Sequence, residues 1–106
     1  MRQGFFSEHW ADSTGNPGGG VTSGRGFTIS WQNGPLGRGD DRREPNGAFV
    51  EDIINAAMDR LHEYEDSAFA CNYNREAIRH LVNAIGALDA RTADREARQV
   101  EGTHAV

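Results

Sequence analysis

Hydrophobic and polar positions follow two different periods along this chain. Over residues 26–32, Phe27, Ile29 and Trp31 alternate with Thr28, Ser30 and Gln32, which places three large apolar groups on one face of a strand. Asn33-Gly34-Pro35 ends it. Segments at 4–10 or near Val21 are candidate partners for a small antiparallel hairpin, whose apolar face needs a helix to cover it. Further on the period lengthens to three and four. The spacing predicts a helix over 48–65, capped by Asn46, with Phe49, Ile53, Ala57, Leu61 and Tyr64 on one stripe. A second is predicted over 74–98, with Ile78, Leu81, Ile85 and Leu88 on its stripe, Asn72 or Asn74 as cap and Gly102 just past its end. The connection at 66–73 holds Phe69, Cys71 and Tyr73, more apolar than a solvated loop requires, so it is expected to pack back on the helices.

Glycine and proline divide the chain at about residue 46. All three prolines and most of the 13 glycines precede that point, whereas beyond it glycine stands only at 47, 86 and 102. The expected fold class is α+β: an N-terminal antiparallel β-hairpin packed on a C-terminal helical hairpin. Residues 1–106 read as a single domain, with 1–46 its glycine-rich strand and loop part and 47–106 the helical hairpin and C-terminal tail. The charged stretch GRGDDRREP at 37–45 reads as a solvated connection.

Composition then narrows the function. Hydrophobic residues make up 37% of 106 positions, so the core is thin and self-association would help it. A net charge of −5 argues against a binder of long nucleic acid, which needs a broad basic face. No apolar run suits a membrane span or a signal peptide, and a soluble cytosolic protein is expected. One cysteine and four scattered histidines fall short of zinc spacing and of any internal disulfide, so no metal and no cofactor is expected. All 11 basic residues are arginine, whose planar fork matches phosphate.

The motifs are few. GGGVTSGRG at 18–26 lacks the lysine and the following helix of a phosphate loop. Arg38-Gly39-Asp40 matches an adhesion tripeptide by chance. Glu76 and His80 read as a surface pair on one helix face. Nothing in the sequence places a nucleophile beside a base and an orienting acid, so an enzyme is not expected.

Arg91, Arg95 and Arg98 are the most informative cluster, recurring at four and three residues and so sharing a helix face. Their plain role is to complement the helix dipole beside Asp89, Asp94 and Glu96. The alternative is an anion site. Tyr64 and Asn74 fall at the hairpin turn, whereas Arg91 lies about 25 Å farther along a straight helix, so one chain does not close a pocket from all three. Two hairpins paired antiparallel about a twofold axis bring the turn of one to the arginine end of the other.

Four blocks carry a family resemblance: GFTISWQNGPLG at 26–37, NGAFVEDII at 46–54, FACNYN at 69–74 and RTADREARQVEGTH at 91–104. Over about residues 20–106 the chain resembles the phage Thoeris anti-defence sponges, which are related to the phage sponges that counter CBASS. The resemblance implies a phage protein acting in the host bacterial cytoplasm, where it captures cyclic ADP-ribose isomers without cleaving them. It implies Tyr64 stacking on a base, Asn74 hydrogen-bonding the ligand, and Arg91 meeting the pyrophosphate or a ribose. It also implies homodimers or trimers of dimers, with Arg98, Gly102 and Thr103 as candidates to hold cyclic trinucleotides around a threefold axis; cyclic dinucleotides are a further candidate partner. Arg25 is the candidate for an arginine contributed by the N-terminal half. Two departures stand out: the linker at 37–45, and Gln99, where the family pattern leads one to expect glycine. The rival readings are an oligomeric adaptor that blocks a host protein through Trp10 and Trp31, and a hydrolase of the same signal.

Overall fold

The computed structural model describes residues 4–106, leaving the first three outside. The chain forms two compact units: the residues up to Phe49 together with Gln99–Val106, and the segment Val50–Arg98. The tail thus belongs with the sheet rather than with the helical hairpin to which the sequence assigned it.

The first unit is built on a three-stranded antiparallel sheet of β1 (Phe6–Ala11), β2 (Pro17–Gly24) and β3 (Phe27–Trp31), in the order β1-β2-β3. The sequence left the partner of β3 open between two segments, and both are used: β2 pairs with β3, and β1 pairs with β2 from the far side. A strand rich in glycine is intrinsically weak, but here the missing side chains make room. A Cβ on Gly20 would stand 2.6 Å from the Glu8 carbonyl oxygen, and one on Gly19 would stand 3.1 Å from the Trp10 indole nitrogen. The apolar alternation of β3 therefore specifies only one strand of three, while backbone approach specifies the middle one.

Asp12 builds the β1–β2 turn by accepting hydrogen bonds on Oδ1 from the Thr14 amide at 2.8 Å, the Thr14 hydroxyl at 2.6 Å and the Asn16 amide at 3.0 Å. These bonds, led by the Thr14 hydroxyl, hold its carboxyl below the usual range. Its Oδ2 lies 3.4 Å from His104 Nε2 in the tail.

The segment between the sheet and the helices is exposed over 39–45, the solvated connection expected, and its end at 46–48 is held against β3. Ala48 bridges Trp31 in parallel, donating its amide to the Ser30 carbonyl at 2.8 Å while its own carbonyl accepts the Gln32 amide at 2.9 Å. Asn46 does not cap a helix. Its side chain accepts the Asn33 amide at 2.8 Å and donates to the Asn33 carbonyl at 3.0 Å. The first helix accordingly begins later than the spacing suggested, at Val50, because 46–48 are held by β3.

The second unit is a helical hairpin of α1 (Val50–Glu65) and α2 (Asn72–Ala97). The larger half-buried apolar side chains are Ile53, Ile54, Met58 and Leu61 on α1 and Ile78, Leu81, Ile85 and Leu88 on α2. The α2 stripe is the one expected. On α1 the expected stripe holds at Ile53 and Leu61 but is joined by Ile54 and Met58, while Ala57 and Tyr64 are exposed. The connection does not fold back either, since Phe69 and Tyr73 are 75% and 87% exposed. Cys71 occupies the N-cap position of α2, and neither Asn72 nor Asn74 does. Among the described residues no hydrophobic side chain is buried. The thin core anticipated from composition is therefore thinner still in the folded chain.

Candidate functional site

The hairpin turn is closed by Glu65. Its side chain is 15% exposed, and it accepts the Cys71 amide on Oε1 at 3.0 Å and the Arg75 guanidinium on Oε2 at 2.9 Å. The Cys71 amide is the main reason the carboxyl is held below its ordinary range, with Arg75 and Asn74 adding to it. Arg75 also donates to the Asn72 side-chain oxygen, so the first turn of α2 is stitched to the end of α1 by one carboxylate. Sequence reasoning passed over Glu65 because an acidic residue at the end of an amphipathic helix ordinarily faces water. Its one signal was its place four residues beyond Leu61, in phase with the packed face.

Asn74 sits on this frame, half-buried, and donates through Nδ2 to the Phe69 carbonyl at 3.0 Å. Tyr64 is 37% exposed, with the Arg60 guanidinium 5.1 Å from its ring centre. An aromatic ring that is partly exposed and already placed beside a cation is a serviceable stacking surface. Arg91 is exposed near the other end of α2. The helical unit thus brings Tyr64 and Asn74 to one end and leaves Arg91 about 25 Å away by helix rise. Arg98, at the C-cap of α2, donates from Nε to Asp94 at 3.1 Å, the ion pair that its plain role called for. Glu76 lies 3.0 Å from His80 Nε2 on the exposed face of α2, again as a surface pair.

The sheet unit carries the remaining candidates. Arg25 is exposed in the tight β2–β3 turn. Gly102 and Thr103 lie in a braced tail: the Gly37 amide donates to the Gly102 carbonyl at 2.8 Å, Arg38 donates to the Glu101 carbonyl at 3.0 Å, and Arg42 meets the Glu101 carboxylate at 2.7 Å. Thr103 closes a turn by donating its hydroxyl to the Val100 carbonyl at 2.6 Å. Gly102 adopts φ 81, and a Cβ there would stand 2.4 Å from the Gly37 oxygen. Gln99 adopts φ 60, the left-handed region that favours glycine, which gives a backbone reason for expecting glycine at that place. Arg38, Arg42 and Glu101 were not among the sequence candidates. Their signal was charge complementarity between a basic loop and an acidic tail about 60 residues apart, which no local pattern reveals.

On one face of the sheet Ser7 Oγ lies 2.8 Å from His9 Nε2 and 3.3 Å from Thr22 Oγ1, which also accepts the Trp31 indole N–H at 2.8 Å. A hydroxyl does therefore sit beside an imidazole, which the sequence did not suggest. Among the described residues no carboxylate orients that imidazole, and the pair reads as cross-strand polar packing. Trp31 is half-buried with its N–H engaged, whereas Trp10 is 45% exposed. No three His, Cys, Asp or Glu side chains among the described residues cluster so as to hold a metal ion. No described helix is long and apolar enough to cross a membrane.

Fold and exposed groups together define a small α+β protein that presents aromatic, amide and guanidinium side chains on a helical hairpin and a glycine-bearing turn on a braced tail. No family model matches the chain. Over 82 residues it is 39% identical to the protein named Thoeris anti-defense 1 of Bacillus phage SBSphiJ7, an alignment that covers 77% of this chain and 55% of that protein. The chain thus spans just over half the length of that relative. It belongs to the phage Thoeris anti-defence family.

Proposed function

We propose that the protein counters Thoeris-type bacterial immunity in the cytoplasm of the infected cell by binding a cyclic ADP-ribose isomer and holding it intact. The observation that carries this reading is the kinship with Thoeris anti-defense 1. The placement of the candidate side chains supports it. Tyr64 offers a ring for a base, Asn74 an amide held at a defined orientation, and Arg91 a guanidinium for the pyrophosphate or a ribose. Because the first two stand at one end of the hairpin and the third at the other, each pocket is completed by a second copy, in a homodimer or a trimer of dimers. The want of any buried hydrophobic side chain among the described residues favours such an assembly. Arg98, Gly102 and Thr103 are the groups for cyclic tri- or dinucleotides in the assembled oligomer, and Arg25 is the N-terminal contributor.

Sequestration needs affinity rather than turnover, and a nanomolar dissociation constant corresponds to about −12 kcal/mol. Titration calorimetry of the purified protein with cyclic ADP-ribose isomers and with cyclic tri- and dinucleotides tests the reading, followed by heating the complex and identifying the released compound. Intact release supports sequestration. Linear product makes the protein a hydrolase, and no binding to any of these ligands moves the function to an adaptor that blocks a host protein.

A further inference from the structure

Tyr64 is the penultimate residue of α1, where a helix ordinarily frays, yet its backbone is fixed: the carbonyl accepts the Ser67 hydroxyl at 2.6 Å and the Ser67 amide at 3.1 Å. What remains to be fixed is the side chain. A helical side chain leans back over the preceding turn, so the ring at 64 meets position 60, four residues earlier. Arg60 stands there, exposed, with its guanidinium carbon over the Tyr64 ring at 5.1 Å from the centre, inside the range of a cation–π contact. A ring has two faces. A base cannot stack on the one that the guanidinium covers without displacing it, and the residue remains 37% exposed with the arginine in place.

We propose that Arg60 is a positioning residue for Tyr64: it backs one face of the ring and holds the side chain in place, so that a planar base stacks on the opposite face. The inference rests on the functional reading above, in which Tyr64 receives a base. An unbacked tyrosine at a helix end turns about its side-chain torsions and has to be ordered when ligand arrives. A backed one is ordered beforehand, and the difference appears as affinity. The opposite arrangement is a gate, an arginine that occupies the ligand's own face and leaves on binding. The two differ in sign: removing a backing residue weakens binding, whereas removing a gate strengthens it.

The test has two parts. In isotopically labelled protein without ligand, ring current is expected to move the side-chain proton resonances of Arg60 upfield of those of Arg79, whose guanidinium pairs with Glu76 instead, and Tyr64→Leu is expected to abolish the difference. Resonances that coincide in the wild type overturn the proposal whatever the protein binds. Calorimetry with cyclic ADP-ribose isomers then compares the wild type with Arg60→Ala, Arg60→Lys and Arg79→Ala, with circular dichroism to confirm folding. Arg60→Ala is expected to weaken binding of the tightest isomer by about threefold or more. Arg60→Lys should recover part of that loss, because an ammonium keeps the cation–π contact, and Arg79→Ala, the control for lost charge, should bind as the wild type does. In the complex the upfield Arg60 resonances are expected to persist. Their loss on binding, an unchanged or raised affinity in Arg60→Ala, or an equal loss of affinity in Arg79→Ala overturns the proposal while leaving the functional reading in place. No binding of any isomer by the wild type defeats the functional reading and, with it, the role of Arg60.

Discussion

Gly102→Ala gives the sharpest test of how the tail is held. At φ 81 an alanine pays the left-handed penalty of about 1–2 kcal/mol. Its Cβ would also stand 2.4 Å from the Gly37 carbonyl oxygen and 2.8 Å from Arg42 Nη1. The arginine tip can swing aside, but the backbone carbonyl cannot. The two strands of chain must part, and the 2.8 Å bond from the Gly37 amide to the Gly102 carbonyl is lost, for a further ~0.5–1.5 kcal/mol. Together these come to about 1.5–3.5 kcal/mol, roughly a 10- to 400-fold rise in the open population of the junction. Amide hydrogen exchange at Gly37 reads that population directly. Its protection should fall by that factor in Gly102→Ala. Gly86→Ala provides the control: this glycine lies within α2 with nothing near its would-be Cβ, so alanine should instead stabilise the protein by about 0.5–1 kcal/mol through helix propensity. Unchanged exchange at Gly37 in Gly102→Ala would refute the claim that the tail is seated against the loop at 37–42.

Gln99 holds a left-handed backbone just after α2, so thermal melting should rank Gln99→Gly above wild type by about 0.5–1 kcal/mol and Gln99→Val below it by about 1 kcal/mol. An inverted order would show that the turn is not left-handed in solution. Glu65 has its folded-state pKa depressed below its ordinary value of 4.5, so its stabilising contribution is present above that pH and lost as pH falls through the folded value. Exchange protection of the Cys71 amide should therefore drop as pH is lowered below about 4.5 in the wild type, after correction for intrinsic exchange, and vary less in Glu65→Gln. Arg91→Ala should weaken binding of a cyclic ADP-ribose isomer at least tenfold with the circular dichroism spectrum unchanged, and calorimetry showing full affinity would remove Arg91 from the site.

Periodicity by itself determined the strand at Phe27–Trp31, the two helices and the packed stripe of α2, because each is written in neighbouring residues at spacings of two or of three and four. It also located Tyr64 and Asn74 at the turn and Arg91 far from them, since helix rise converts residue number into distance. The tertiary structure decided what depends on residues distant in sequence. The glycine-rich segment near Val21, only one of two candidate partners for β3, became the central strand, since its glycines leave space for Trp10 and the Glu8 backbone. The helix caps assigned to Asn46, Asn72 and Asn74 fell elsewhere, because a side chain that caps well also bonds well to any nearby donor or carbonyl, and the Asn33 backbone, the Arg75 guanidinium and the Phe69 carbonyl supply those groups. On α1 the expected stripe held at Ile53 and Leu61, whereas Ala57 and Tyr64, at its edge, are exposed and Ile54 and Met58 are half-buried instead. The bracing of the tail by Arg38 and Arg42, and the closing of the hairpin turn by Glu65 through the Cys71 amide and Arg75, lay outside any local pattern. A charge does not announce its partner in sequence, and only folding sets which opposite charge or carbonyl comes within hydrogen-bond reach.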